Sequence, residues 1–370
     1  MKNDLSPVPL GSTKDDLDTP ALCLDLDAME ANIRSMAETC SRAGVAWRPH
    51  AKGHKSSYIA RLQLAAGALG VTCAKLGEAE MMADGGVTDL LIANMVVGPR
   101  KLSRLVALRR KADPIVCVDH LDQVEPLSRA FASEPAPLRV LIEVNIGLDR
   151  VGVAPGAPAV ELARAIAARP GLRLAGIMGY EGHLLTLPDP ADKGRQIHAA
   201  LDQLIDTQRA IEHANIPCGI VSCAGTGSFR YAIEHAGITE VQAGGAIFMD
   251  VFYREKCQIT DLANALTVLA TVVSRPAPDR AIIDAGRKTL NIEVATPLVL
   301  GCEGVEVVRL SAEHGELRLA PAAQGLRIGD RLELLPGYAD LTTVLHDVFY
   351  GFRGGRLEAI LPIEARGKLA

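Results

Sequence analysis

The chain has 370 residues, 48% hydrophobic and 22% charged, with a formal charge of −5 and no run of basic residues. That balance suits a soluble globular fold and leaves no electrostatic footprint for nucleic acid or an anionic membrane surface. The polar, proline-bearing start MKNDLSPVPLGSTKDDLDTP lacks a signal-peptide core, and no stretch reaches the roughly 18 consecutive apolar residues of a membrane span, so a cytoplasmic protein with small-molecule partners is expected.

In chain order, TPALCLDLD reads as a strand that pairs with a later β domain rather than entering the main sheet. DAMEANIRSMAETC places Met29, Ile33, Met36, Ala37 and Cys40 on one helical face, with Asp27 and Glu30 spaced as a capping box. Short strand-like runs follow at VAWRPH, GVTCA, DLLIAN, PIVCVD, LRVLIEVN, LRLAGIMGY, GIVSCAG and TEVQAGG. Helical segments lie between them, among them PRKLSRLVALRRKAD with Pro99 at its start and DKGRQIHAALDQLIDTQRAIEHAN. This even alternation predicts an α/β fold, a closed (β/α)8 TIM barrel rather than a doubly wound sheet. Beyond about residue 260 the rhythm changes to ALTVLATVVS, RAIIDAG, VEVVRLS, DRLELLPG, HDVFYGF and GRLEAILPIEA, strands without helices between them, with Gly354-Gly355 as a hairpin turn. The expected domains are a barrel over 27–260 and a mostly β domain from 1–26 and 261–370. The 8 cysteines show no CxxC pair and no zinc or disulfide spacing, which predicts reduced, mostly buried thiols.

Barrel chemistry gathers at the C-terminal ends of the strands, and phosphate is favoured after the last two. SCAGTGSF, Ser222 to Phe229, and QAGGAIF, Gln242 to Phe248, put small residues at those two places, where backbone N–H groups can converge on an anion. Within WRPHAKGHKS, Lys52 follows the first strand and stands at the barrel mouth, where its amine suits an aldehyde cofactor held as a Schiff base. Lys55 reads as a solvated residue at the start of the next helix, and His50 and His54 as packed or hydrogen-bonded loop residues. Arg150, in EVNIGLDRVGV, is either a fixed cation for a cofactor ring nitrogen or a salt-bridged surface residue. MGYEGH brings Tyr180, Glu181 and His183 together as candidate acid–base groups.

The motifs TPALCLDLDAMEANI, RPHAKGHKS, CAKLGEAE, VNIGLDRVGV, AGTGS, EVQAGGAIFMD, DAGRK, EHG, LPGYAD, HDVF and ARGK, in this order, resemble one family across nearly the whole chain. It is the D-threonine aldolase and D-3-hydroxyaspartate aldolase group, pyridoxal-phosphate enzymes that join an alanine-racemase-like barrel to a β domain like that of D-serine dehydratases. The resemblance implies pyridoxal 5'-phosphate held by Lys52, with Arg150 facing the pyridine nitrogen and Tyr180 beside the cofactor. It also implies a phosphate cradle of Gly225, Thr226, Gly227, Ser228, Gly244 and Gly245, and a homodimer whose sites are completed by the partner's β domain. In that family a PGH motif, with Cys or Asp two residues on, holds a divalent metal against the substrate hydroxyl. Here the motif is PGYAD, with Tyr338 in the histidine place. Asp340 alone is a poor transition-metal ligand set, suited at most to a loosely hydrated Mg²⁺ or Mn²⁺. His346 belongs to a separate motif, and Glu181 stands where several aldolases carry histidine.

The implied reaction is retro-aldol cleavage of a D-3-hydroxy amino acid to glycine and an aldehyde, with His183 or Glu181 as the base. The alternatives are a racemase or epimerase using Lys52 and Tyr338 as opposed acid–base groups, a D-amino-acid dehydratase or deaminase, weakened by the altered metal position, and a non-catalytic cofactor carrier.

Overall fold

The computed structural model describes residues 8–370, so residues 1–7 of the stretch assigned above to the β domain lie outside the described residues. The chain divides into two compact units. Among the described residues, one contains residues 33–246 and 364–370; the other contains residues 8–32 and 247–363. Strand β1 (Ala21–Asp25) and the start of helix α1 (Leu26–Arg42) belong to the second unit.

The first unit is the expected parallel barrel. Its strands are β2 (Ala46–Trp47), β3 (Val71–Cys73), β4 (Asp89–Met95), β5 (Asp113–Val118), β6 (Leu138–Glu143), β7 (Leu172–Met178), β8 (Ile220–Cys223) and β9 (Glu240–Val241). They form one 8-stranded sheet in the order β2-β9-β8-β7-β6-β5-β4-β3. A parallel His50–Thr72 bridge and the Thr72 amide bonded to the Pro49 carbonyl (2.9 Å) join the two ends. Helices α2 (Ser57–Ala65), α3 (Leu76–Asp84), α4 (Pro99–Arg109), α5 (Leu121–Phe131), α6 (Ala157–Ala167), α7 (Pro190–His213) and the single turn α8 (Phe229–Ala232) fill the connections. The strands read as nearly continuous apolar runs because side chains on both faces are buried, one against the helices and one inside the barrel.

At the N-terminal ends of the strands the interior is closed by ion pairs. The fully buried Arg48 donates through Nε to both Glu240 oxygens (3.0 and 3.1 Å) and through Nη1 to Asp89 (2.7 Å). Arg139 reaches Asp89 (3.0 Å) and Asp113 (2.9 Å) beside it. A buried guanidinium is tolerated only when its donors are matched by carboxylates, and removing one partner leaves an uncompensated charge.

The second unit holds β10 (Leu266–Ala277), β11 (Arg280–Ile283), β12 (Leu298–Leu300), β13 (Val305–Leu310), β14 (Gly315–Leu319), β15 (Arg331–Leu335), the short helix α9 (Ala339–Thr343), β16 (Val348–Arg353) and β17 (Arg356–Pro362). With β1 they make a 9-stranded sheet. β1 pairs antiparallel with β10 and parallel with β16, so TPALCLDLD joins this sheet as expected. Gly354 and Gly355, at φ +55° and +76°, make the β16–β17 turn. The three-residue β12 was too short to read from sequence.

One local expectation is corrected. The α1 cap is Asp25, whose Oδ1 accepts the Ala28 amide at 3.0 Å. Asp27 and Glu30 do not form a capping box and instead pair with Arg353 at the end of β16, Glu30 at 2.7 Å. The cysteines are free thiols, all buried except the partly exposed Cys302.

Arg48→Ala should therefore destabilise the barrel by about 3–5 kcal/mol. The only tryptophan, Trp47, lies next to Arg48 and is buried, so a denaturant titration followed by its fluorescence reports on this layer directly. An unchanged midpoint would show that the ion pairs contribute nothing to stability.

Candidate active site

The mouth is organised by the end of the first barrel strand. After β2 the chain passes Pro49 and His50 into a single 3₁₀ turn, Ala51–Gly53. The His50 amide donates to the Gln242 carbonyl (3.1 Å), and the His50 ring, through Nδ1, accepts the Lys52 amide (3.3 Å). This places the partly buried Lys52 beside the loop that follows β9. The approach is close enough to exclude any side chain at 244, because a Cβ there would fall 2.2 Å from the His50 carbonyl oxygen.

The loop after β8 turns through Ala224 at φ +62°, and the Gly225 amide donates to Ser228 Oγ at 3.2 Å. The buried Thr226 hydroxyl accepts the Ala246 amide at 3.0 Å and so ties this loop to the one after β9. Among the described residues, the amides of Thr226, Gly227, Gly244 and Gly245 are left with no acceptor outside their own turns. Four open N–H groups on two adjacent loops match the donor set of a phosphate cradle.

Arg150 is presented by a tightly braced loop after β6. Asn145 Oδ1 accepts the amides of Gly147 (3.0 Å) and Asp149 (3.1 Å), while its Nδ2 donates to Asp149 Oδ1 (2.7 Å). Asp119 accepts the Gly152 amide at 3.0 Å. The guanidinium lies 3.5 Å from Glu143 and 5.7 Å from the centre of the Tyr180 ring, and these three residues share a shallow recess with Asn145. Burial pushes the Glu143 carboxyl above the usual range, and Arg150 pulls it back. Tyr180 in turn reaches the glycine loop, since a Cβ on Gly225 would lie 3.0 Å from its hydroxyl.

The structure separates two candidate bases that the sequence placed two residues apart. Glu181 is fully buried; burial pushes its carboxyl up, with the Ser228 hydroxyl and the Ala224 amide acting in the opposite direction. It therefore lies against the Ala224–Ser228 turn. His183 is exposed, and its ring lies over Gly147 of the Arg150 loop, where a Cβ would meet Nε2 at 2.8 Å. Lys55 is also corrected: it is buried, not solvated, because Glu78 pairs with it at 2.7 Å. Sequence reasoning missed Glu143, Asn145 and Gln242, each a polar residue at the end of an apolar strand run. That position was the signal available for all three.

Tyr338 and Asp340 belong to the β unit, at the start of α9. The Tyr338 hydroxyl donates to Asp340 Oδ2 at 2.9 Å. The buried Asp250 accepts the Ala339 and Tyr253 amides, and burial pushes its carboxyl up to about 7. The Tyr338 hydroxyl is a donor to Asp340 here, where an imidazole would offer a lone pair. This donor set does not fit a tight divalent-metal centre.

Comparison with known proteins agrees with this architecture. The family model for the alanine racemase N-terminal domain matches residues 24–251, and that for a putative serine dehydratase domain matches residues 265–352. The D-threonine aldolase of an Arthrobacter species is 40% identical over 95% of this chain and 93% of its own length. The 3-hydroxy-D-aspartate aldolase of Paracoccus denitrificans is 34% identical over 97% and 94%. The crystal structure of D-threonine aldolase from Filomicrobium marinum matches with a TM-score of 0.95 at 39% identity, covering 99% of this chain and all of that one.

The fold and the lysine-bearing mouth are thus those of an alanine-racemase-type barrel joined to a serine-dehydratase-type β domain. The chain belongs to the family of D-threonine and 3-hydroxy-D-aspartate aldolases. Pyridoxal phosphate is implied by that family, and the open amides, Lys52 and Arg150 suit its phosphate, aldehyde and ring.

His50 provides a test of this geometry. Its ring is held well below its ordinary value, first by burial and then by Lys52, Lys55, His54 and Arg150. A histidine depressed in the folded state stays neutral while the unfolded chain takes up a proton, so its stabilising contribution is present above about pH 6.5 and lost as pH falls below it. The stability of the natural protein should therefore drop more steeply than that of His50→Gln between pH 7.5 and 5. Parallel curves would show that the fold does not depress the His50 ring.

Proposed function

We propose that the protein is a pyridoxal-phosphate-dependent lyase that cleaves a D-3-hydroxy amino acid, of the D-threonine or D-3-hydroxyaspartate type, to glycine and an aldehyde. The observation that carries this reading is near-full-length likeness to two aldolases on a barrel whose Lys52 loop abuts the Gly244–Gly245 loop. When bound, the cofactor supplies an electron sink for the charge left at Cα as the Cα–Cβ bond breaks.

The chain's residues divide the remaining tasks. Lys52 would supply the amine that holds the cofactor aldehyde, and the amides of Thr226, Gly227, Gly244 and Gly245 would take its phosphate. Arg150, braced by Glu143 and Tyr180, would face the ring nitrogen. A guanidinium that keeps its own proton limits protonation of that nitrogen and moderates the sink. His183 takes the β-hydroxyl proton, because its imidazole is exposed at the mouth while the Glu181 carboxyl is buried against the Ala224–Ser228 turn. As that proton leaves, the C–O bond becomes a carbonyl, the Cα–Cβ electron pair stays with Cα and the aldehyde departs; return of a proton to Cα then completes glycine.

A second reading is racemisation at Cα with Lys52 and Tyr338 as the two proton carriers. It is favoured by the Tyr338 hydroxyl having a carboxylate partner in Asp340. In either case the working unit in this reading is a cytoplasmic homodimer with sites shared between subunits, which sedimentation of the purified protein tests.

Purified protein is mixed with D-threonine, D-phenylserine or D-3-hydroxyaspartate, with and without chelator or added Mn²⁺, and assayed for aldehyde, keto acid and enantiomer. Aldehyde release is expected and should be insensitive to chelator. Lys52→Ala should abolish it, and His183→Ala should slow it by about a hundredfold to ten-thousandfold. Solvent exchange of the Cα proton without aldehyde would transfer the assignment to the racemase, whereas keto acid would overturn both.

A further inference from the structure

The ARGK stretch, Ala365–Lys368, has no role in the reading above, yet residues 364–370 fold with the barrel although they follow β17 of the other unit. Glu364 grips the start of α2: Oε2 accepts the Ser57 amide at 3.1 Å and Oε1 accepts the Ser57 hydroxyl at 3.0 Å. The helix needs this, because its own N-cap residue, Ser56, makes no side-chain cap. One residue on, the Ala365 amide donates to the Lys55 carbonyl at 3.0 Å.

Those two positions bracket the lysine loop. The Lys55 amide closes back on the Ala51 carbonyl at 2.7 Å, forming a single turn around Lys52. To do so Lys55 takes φ +51°, a left-handed conformation that a non-glycine residue holds only when its surroundings enforce it. The enforcement comes from two sides, the buried Lys55–Glu78 pair and the tail's bond to the Lys55 carbonyl. The far end of the tail is also fastened, with the Ala370 carbonyl accepting the Gly77 amide (3.0 Å) and Arg104 Nη2 (2.8 Å).

We infer that the C-terminal tail is a latch on the Lys52 loop, with Glu364 as the positioning residue that fixes the turn from Ala51 to Ser57 and so the direction of the Lys52 amine. The inference rests on the reading that Lys52 holds the cofactor. Glu364 touches neither substrate nor cofactor in this scheme. Its effect reaches the site through Ser57 and Lys55.

Glu364→Ala in the full chain is titrated as apoprotein with pyridoxal phosphate, followed by absorbance, and amide hydrogen exchange is read over residues 51–57. Losing a two-point carboxylate grip should weaken cofactor binding by about tenfold or more and speed exchange in that segment, with the thermal midpoint nearly unchanged. Glu364→Gln keeps one acceptor oxygen and should fall between. Binding within about twofold of the natural protein, together with unchanged exchange over 51–57, would overturn the latch. If the natural protein takes up no pyridoxal phosphate, the functional reading fails, while the exchange comparison still decides the latch. Should Glu364→Ala not fold, Ser57→Ala removes one of the two bonds; it should shift both readouts the same way by less, and no shift would count against the latch.

Discussion

The site depends on closure of the parallel sheet with β2 next to β9. Because Ala46–Trp47 pair in register with Glu240–Val241, the chain emerging from β2 and the chain emerging from β9 leave the barrel at the same height. Lys52 and the Gly244–Gly245 loop are then neighbours without any long-range search, and the glycine at 244 is the condition that lets the two backbones touch. An open sheet with the same strands would put β2 at one edge, and the amine and the phosphate donors would lose their common origin. The Arg48 layer serves this constraint from below, since Arg48 binds Glu240 of β9 and Asp89 of β4 and holds the closing seam together.

The mouth gathers cations, and the chain disposes of them in different ways. Lys55 is buried against Glu78, Arg150 is set between Glu143 and the Tyr180 ring, and His50 stays neutral because burial and the surrounding charges oppose its proton. A field of this sign also favours an anionic ligand, which is the character of both a phosphate and an amino-acid carboxylate.

Much of this was legible in the sequence because it is local. Eight short apolar runs with helices between them specify a barrel, and glycine-rich turns after the last two specify where an anion can sit, since both patterns are written within a few neighbouring residues. The misreadings all concern partners that are distant along the chain or orientations that only a turn decides. Lys55 looked solvated because its partner Glu78 is 23 residues away, and the grip of Glu364 on Ser57 spans 307. Asp27 and Glu30 have capping-box spacing, yet Arg353 claims both. Glu181 and His183 sit on one 3₁₀ turn after β7, and the chain's change of direction there buries one side chain and leaves the other in solvent. No spacing rule distinguishes them.

The same logic bears on Tyr338. An imidazole offers a lone pair to a metal near neutral pH, whereas an ordinary phenol keeps its proton until about pH 10 and acts as a donor. With tyrosine two residues before Asp340, the two side chains form a hydrogen-bonded pair, the phenolic hydroxyl donating to the carboxylate. The barrel's lysine and glycine loops are untouched by that exchange, since every residue that builds them lies in the other unit. The lysine and glycine loops and the Tyr338–Asp340 pair thus belong to separate units of the chain, and the pair can change without rebuilding the loops. That separation gives relatives sharing this architecture room to differ in reaction, and it is why the products released by this chain, rather than its fold, decide between cleavage and racemisation.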